Sequence, residues 1–310
     1  MNTQSDAIPG SPLESQLVAP AVIPASRRLY WAVRRELWEY RSIYIAPLAA
    51  AALFLLGFLI HLVRLPGRIR AASAFSSMEH QMWIQQDYDF AALLLMGVTL
   101  IVAVFYCLDA LHGERRDRSI LFWKSLPLSD LTTVLSKASI PVLVLPLLTF
   151  AITVVTQWIM LILSSAVLLG SGLSPVTLWA HLPMFQMSLG LFFHLVAIHG
   201  LWYSPIFGLL LMVSAWARRT PFLWVTIPIL VIAIVEKIAF NTSHFMTMLL
   251  QRFPGIPEAA ESANVSGSMD HFSHLNPGQF LLSPGLWIGL AIFAAFLAVA
   301  VRLRRYQGPI

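Results

Sequence analysis

Residues 90–111, FAALLLMGVTLIVAVFYCLDAL, form a run of 22 residues in which Asp109 is the one formal charge. At residue 112 the run passes directly into HGERRDRSILFWKSLP, residues 112–127. A hydrocarbon layer of about 30 Å is crossed by roughly 20 apolar residues of helix. The first stretch therefore reads as a membrane span, and the second as the segment that emerges from it. Five further stretches pass the same test, at approximately residues 43–62, 140–163, 185–216, 222–240 and 282–301. The expected fold is all-α: a polytopic membrane protein with six transmembrane helices spread over residues 27–305.

Composition agrees. The chain is 58% hydrophobic and 11% charged, against roughly 25% charged residues in a soluble domain, which excludes disorder and most soluble enzymes. A single cysteine, Cys107, excludes an intrachain disulfide framework and a thiolate zinc site. Residues 1–26 carry Pro9, Pro12, Pro20 and Pro24 and no basic segment ahead of an apolar core. They read as a flexible polar tail without a cleavable signal, and residues 306–310 read as a second short tail.

The stretch at 185–216 is long, but two crossings and a turn need more than about 40 residues. It is predicted to be one span, kinked near Pro205, where the ring removes a helix bond. Pro141 and Pro146 predict irregular first turns in the third span. Thr220-Pro221 and Ser283-Pro284 each place a capping residue before an N1 proline. Ser129 can cap a separate short helix leading into the third span.

The basic residues sort by side. Arg27, Arg28, Arg34, Arg35 and Arg41 precede the first span; Arg115, Arg116, Arg118, Lys124 and Lys137 lie between the second and third. Arg218 and Arg219 separate the fourth and fifth, and Arg302, Arg304 and Arg305 follow the sixth. These are 15 of the 20 basic residues, all on one side. The opposite side has Arg64, Arg68, Arg70, Lys237 and Arg252. The positive-inside rule makes the richer side, and both termini, cytoplasmic. The formal net charge of +5 is thus mostly topology and does not call for a nucleic-acid partner.

Two segments outside the spans have predicted structure. Tyr30, Val33, Leu37, Tyr40 and Tyr44 share a helical face, with Arg27, Arg34 and Arg41 repeating every seven residues beside it and Trp31 and Trp38 at its rim. This predicts an amphipathic interfacial helix carrying Tyr30, Arg34, Leu37, Trp38 and Arg41. It serves either as a membrane anchor or as an energy-coupling surface. The outer segment, residues 241–281, starts with a stretch at 244–253 apolar enough for a short helix dipping into the outer leaflet. Residues 254–273 are polar and irregular.

Motifs for chemistry are absent. No G-x-x-x-x-G-K-[ST] phosphate loop occurs, so the chain is not expected to hydrolyse ATP through a P-loop. H-E-x-x-H is missing, and Gly267-Ser268, the nearest candidate for intramembrane serine proteolysis, lies in the polar outer segment. His194 and His199, five apart, stand about 140° from each other on an α-helix and are not expected to share a metal. His271 and His274 fall in the irregular outer segment. No catalytic residue and no metal site are predicted. The middles of the spans carry no formal charge, whereas a proton- or sodium-coupled carrier usually needs buried ionisable groups. Any energy source is expected outside this chain.

The segment after the second span is the informative one. Glu114 and Arg118 are spaced i,i+4 in the favourable Glu-first order, Ile120, Leu121, Phe122 and Trp123 follow at once, and Pro127 ends the element. Aromatics supply contact area and arginines supply directional hydrogen bonds, as in a docking helix. The plainer reading is a positive-inside anchor with interfacial aromatics. The stretch GERRDRSILFWKSLP, residues 113–127, with Ser129-Asp130 and Lys137 following, closely resembles a segment of bacterial type-2 ABC transporter permeases, the six-helix membrane subunits of type V exporter-like systems. The order of elements over about residues 27–305 is similar too, while the motif itself covers about 25 residues.

The resemblance implies an exporter permease in the bacterial inner (cytoplasmic) membrane, pairing as a homodimer around a pathway. Two copies of a separate ABC ATPase subunit would dock on it, and ATP and Mg would be held there and not on this chain. It further implies that Glu114, Arg115, Arg116, Asp117, Arg118, Phe122, Trp123 and Lys124 form the coupling helix to that ATPase. Residues 30–44 would be the interfacial connecting helix, and the segment around 244–253 a re-entrant element at the exit. Gln157, Trp158, His199, Trp202 and Tyr203 are candidates for lining the pathway, with aromatic packing as the alternative for each. A non-transporting membrane scaffold that recruits a cytoplasmic partner through the same segment is the competing function.

Overall fold

The structure is a computed structural model and describes residues 24–67, 77–125, 129–252, 277–308 and 310. Residues 1–23, 68–76, 126–128, 253–276 and 309 lie outside it. The N-terminal tail and the polar stretch at 254–273 therefore fall outside the described residues. So do Pro127, His271 and His274.

Among the described residues the fold is helical without strands, and six helices are long and apolar enough to cross a membrane. α1 (Ala25–Glu39) leads into α2 (Ser42–Leu62), the first span. α3 (Ser77–Ala110) is the second, and it starts more than two turns earlier than its apolar core. Two short helices follow, α4 (His112–Arg116) and α5 (Ser119–Ser125). α6 (Asp130–Ser139), a π-helical turn (Ile140–Val144) and α7 (Leu145–Gly170) run on as one rod. At 1.5 Å per residue its 41 residues reach about 60 Å, twice a hydrocarbon layer, so α6 projects beyond the apolar zone.

α8 (Val176–His181) is a short helix between the third and fourth stretches. α9 (Met184–His194), a second π-helical segment (Leu195–Trp202) and α10 (Ser204–Trp216) make up the fourth stretch. α11 (Pro221–Phe240) is the fifth span, α12 (His244–Arg252) and α13 (Pro277–Leu282) are short, and α14 (Pro284–Tyr306) is the sixth.

The caps divide. Ser129 accepts from the Thr132 N–H at 3.1 Å, as expected of an N-cap. Thr220 and Ser283 form no side-chain cap: Thr220 is in a left-handed conformation, and the Ser283 hydroxyl turns back to donate to the Phe280 carbonyl. At the other end of α11, Asn241 is also left-handed, a common helix terminator. The Glu236 carboxylate accepts from the backbone N–H groups of His244 and Phe245, at 2.6 and 2.9 Å, and so anchors the start of α12.

The core forms two main clusters. The larger joins α3, α6, α10 and α14 around Cys107, Leu145, Phe207 and Ala300 at the end where the basic residues gather, here called the basic end. The smaller, around Phe58, Tyr88, Met160 and Leu182, closes the far end. α10 and α14 pack most closely, because Gly208 admits the Phe293 ring: a Cβ there would lie 2.7 Å from its Cδ2. α11 buries none of its residues in the chain, so lipid or another protein must cover it.

The two π segments face each other. Pro141 and Pro146 have no N–H to donate, and the Leu145 N–H reaches back five residues to the Ile140 carbonyl. Pro146 gives no hydrogen bond to the Val142 carbonyl, and it is against this oxygen that Gly200 of the second π segment packs. A Cβ on Gly200 would stand 2.7 Å from it. The irregularity expected near Pro205 thus lies just before it, over residues 195–203, where the Tyr203 N–H donates to the Ile198 carbonyl.

Candidate functional site

The predicted coupling element divides into an inner and an outer part. It is not one helix through residues 114–124. α4 ends at Arg116, and Arg118 takes a positive φ of 57° before α5 begins. The expected i,i+4 pair between Glu114 and Arg118 is therefore absent, because the helix that would align them is broken between them.

Glu114 instead points inward. One carboxylate oxygen accepts from Arg35 at 2.7 Å and lies 3.1 Å from the Lys137 ammonium; the other accepts from Arg304. Lys137 also meets both oxygens of Glu36 at 3.0 Å, Tyr106 donates to Glu36 at 2.9 Å, and Arg304 reaches Asp130 at 3.2 Å. The side chains of Glu36, Glu114 and Lys137 are at most 1% exposed. Three cations (Arg35, Lys137, Arg304) face three carboxylates (Glu36, Glu114, Asp130), and Glu39 adds a fourth at the exposed rim, 3.3 Å from Arg35; every buried charge is thus paired, as it must be to avoid a large desolvation penalty. It ties together α1, α4, α6 and the end of α14.

Arg115 is buried as well. Its guanidinium donates to the carbonyls of Ala215 at 2.5 Å and Ala217 and Gly308 at 3.3 Å. Its own carbonyl accepts from the Ile310 N–H at 3.2 Å. The last residues thus lie against α4, and Lys124 donates to the Gln307 carbonyl at 3.2 Å. Beneath the break at Leu111, Ser214 of α10 accepts from the N–H groups of Leu111 and His112, at 3.1 and 2.9 Å, and donates to the Leu108 carbonyl at 2.7 Å.

What remains on the surface is a compact patch. Arg116, Asp117, Arg118, Leu121, Phe122 and Lys124 are exposed, Phe122 to 61%. Ile120 is buried and pins α5 to the body, and Trp123 lies under the Arg35 guanidinium, 3.7 Å from its ring centroid. Arg116 approaches Asp117 at 3.1 Å and Asp109 at 3.7 Å. Asp109 also accepts from the Tyr40 hydroxyl at 3.3 Å. Burial, and then the Asp109 carboxylate, push the Tyr40 phenol well above its ordinary pKa, so Tyr40 stays a donor there.

In α1, the expected interfacial helix, Val33 and Leu37 are half-buried, as is Tyr40 just after it, while Tyr30 is turned outward with Trp31, Arg34 and Trp38; Arg41 is exposed at the following turn. The apolar face read from the sequence is thus rotated. The buried side carries Ala32 and Glu36 and packs against α6.

The five pathway candidates do not line one common cavity: His199 and Tyr203 are in ring contact, while Gln157, Trp158 and Trp202 each contact a residue outside the set. Gln157 is buried and donates to the Tyr88 carbonyl at 3.2 Å. Trp158 is 42% exposed, edge-on to Trp179. Trp202 packs on Phe280 in the larger cluster. His199 and Tyr203 are buried neighbours, with ring centroids 5.3 Å apart. His194 stands 5.6 Å from His199, contrary to the 140° separation expected on an α-helix. The reason is the π-helical segment, whose i→i+5 bonding brings residues five apart into line. A groove of about 590 Å³ also opens between α2 and α3, lined by Phe54, Phe58 and Phe90, with His61 and Asp87 at 3.5 Å on its wall.

Arg35, Glu36, Asp130, Lys137 and Arg304 were not among the expected site residues. The one signal in the sequence was Glu36, an acid between Val33 and Leu37 on the apolar side of a basic helix. Comparison with protein families, characterised proteins and solved structures gives no match for this chain.

Proposed function

We propose that the chain is the membrane-spanning subunit of an ATP-driven exporter of the ABC type. It would work as a dimer, with its basic end in the cytoplasm docked on separate ATPase subunits. The observation that carries this reading is the pairing of an exposed patch with a buried root. Arg116, Asp117, Arg118, Phe122 and Lys124 face outward, while Glu114, which precedes all of them in the same segment, is locked to α1, α6 and α14. A partner pushing on such a patch moves four elements together, because a balanced buried ion cluster resists being pulled apart. The outer residues supply the docking contacts. Glu114 and Arg115 transmit and position, and Trp123 braces α5 against Arg35.

A membrane scaffold would use the patch for recruitment alone, and nucleotide separates the two. Cys107, the chain's one cysteine, is fully buried, so single cysteines introduced in residues 241–281 can be labelled over a low background. In the complex with an ABC ATPase, an exporter subunit changes its labelling rate when ATP is added. A rate indifferent to ATP would sink the exporter reading and leave the scaffold.

A further inference from the structure

We infer that the outward face of α1 is a binding site for the phosphate headgroups of anionic phospholipids, centred on Arg34. The inference does not depend on the exporter reading.

The inner face of α1 sets its depth. Glu36 bonds to Tyr106, near the basic end of the second apolar run, and to Lys137, three residues before the π turn that opens the third. Tyr40 bonds to Asp109, the charge that closes the second run. α1 is therefore held at the level where two spans leave the hydrocarbon, and only Tyr40 and Arg41 separate its end from α2. Its outer face is at headgroup height.

That outer face is built for an anion. Arg27, Trp31, Arg34 and Trp38 follow one another at intervals of four, three and four residues, which places them on one stripe. All four are exposed. The Arg34 guanidinium lies 5.0 Å from the Trp31 ring centroid and 4.8 Å from that of Trp38. Both distances are within cation–π range. The cation thus lies over both indole rings, and among the described residues no carboxylate occupies its N–H edge. That edge is the part that binds phosphate in a two-pronged fashion. Indoles also favour the interfacial region. Among the described residues no carboxylate pairs with Arg27, Arg34 or Arg41. The acids of α1 are committed elsewhere: Glu36 to Lys137 and Glu39 to Arg35. A cationic stripe without its own counter-ion, at headgroup depth, is complementary to an anionic lipid surface.

The test uses the full chain in nanodiscs of equal phosphatidylglycerol and phosphatidylcholine, with retained lipids counted by native mass spectrometry. Arg27→Gln/Arg34→Gln should lower retained phosphatidylglycerol by roughly fivefold for each arginine removed, with phosphatidylcholine unchanged. Arg302 and Arg305 are exposed at the same end; Arg302→Gln/Arg305→Gln removes the same charge and should leave retention at the wild-type level. Equal retention by wild type and Arg27→Gln/Arg34→Gln overturns the site. An equal loss from the control pair also overturns it, showing diffuse charge attraction. Displacement of phosphatidylglycerol by excess inorganic phosphate would overturn the lipid assignment.

Discussion

The Lys137 ammonium lies 3.0 Å from both carboxylate oxygens of Glu36, across 101 residues of sequence and with neither side chain open to solvent. This pair joins the amphipathic helix to the rod of the third span, and the Glu114 carboxylate adds α4 to the same cation. Removing one member leaves uncompensated charge in the interior. Lys137→Met should lower stability by about 3–5 kcal/mol. Glu36→Gln combined with Lys137→Met should recover part of that loss, because the pair then leaves together. Thermal unfolding of the four proteins in one detergent gives the coupling; strictly additive losses would contradict a buried pair.

The patch and its root should separate by phenotype. Arg116→Glu and Phe122→Ala alter exposed side chains and should leave the unfolding midpoint in place while, on the exporter reading, reducing co-purification with the proposed ATPase partner. Glu114→Gln should lower the midpoint first, since Arg35, Lys137 and Arg304 all lose their shared anion. If Arg116→Glu and Phe122→Ala bind the ATPase as wild type does, the patch is not the docking surface.

Ser214 carries the break between α3 and α4. Ser214→Ala strands the N–H groups of Leu111 and His112, each at a penalty of about 1–3 kcal/mol when buried. Hydrogen exchange should quicken at those two amides, with the amides at the centre of α14 unaffected. Unchanged protection at Leu111 and His112 would mean that another acceptor replaces the serine.

Two glycines should respond differently to the same methyl group. At Gly200 a Cβ meets the Val142 backbone oxygen at 2.7 Å, and at Gly208 it meets the edge of the Phe293 ring at the same distance. A ring can turn aside more cheaply than a helix backbone can move. Gly200→Ala should therefore lower stability by about 1–3 kcal/mol, and Gly208→Ala by less. Unfolding midpoints in the reverse order would show that the α10–α14 contact is the stiffer of the two.

The six apolar helices and the gathering of basic residues at one end were legible in the residues themselves. Both follow from sums over neighbours along the chain: the transfer energy of about 20 side chains into hydrocarbon, and the placement of charge between such runs. Ser129 as a cap was legible for the same local reason. Three things were not. Glu114 was expected beside Arg118, four residues away, but its partners Arg35, Lys137 and Arg304 come from three other helices. His194 and His199 were separated by assuming 3.6 residues per turn, whereas prolines in a neighbouring rod and a close approach at Gly200 accompany a wider helix that aligns them. The face of α1 was read through Tyr30, Val33, Leu37 and Tyr40, whereas Tyr30 is exposed and Ala32 and Glu36 are buried, because periodicity weighs Tyr30 as apolar and cannot see that Glu36 has Lys137 waiting for it. Hydropathy decides how many times this chain can cross a membrane. Which charge is buried, and against what, depends on pairings between different helices, up to 190 positions apart in the chain, and only the packed helices bring those within reach.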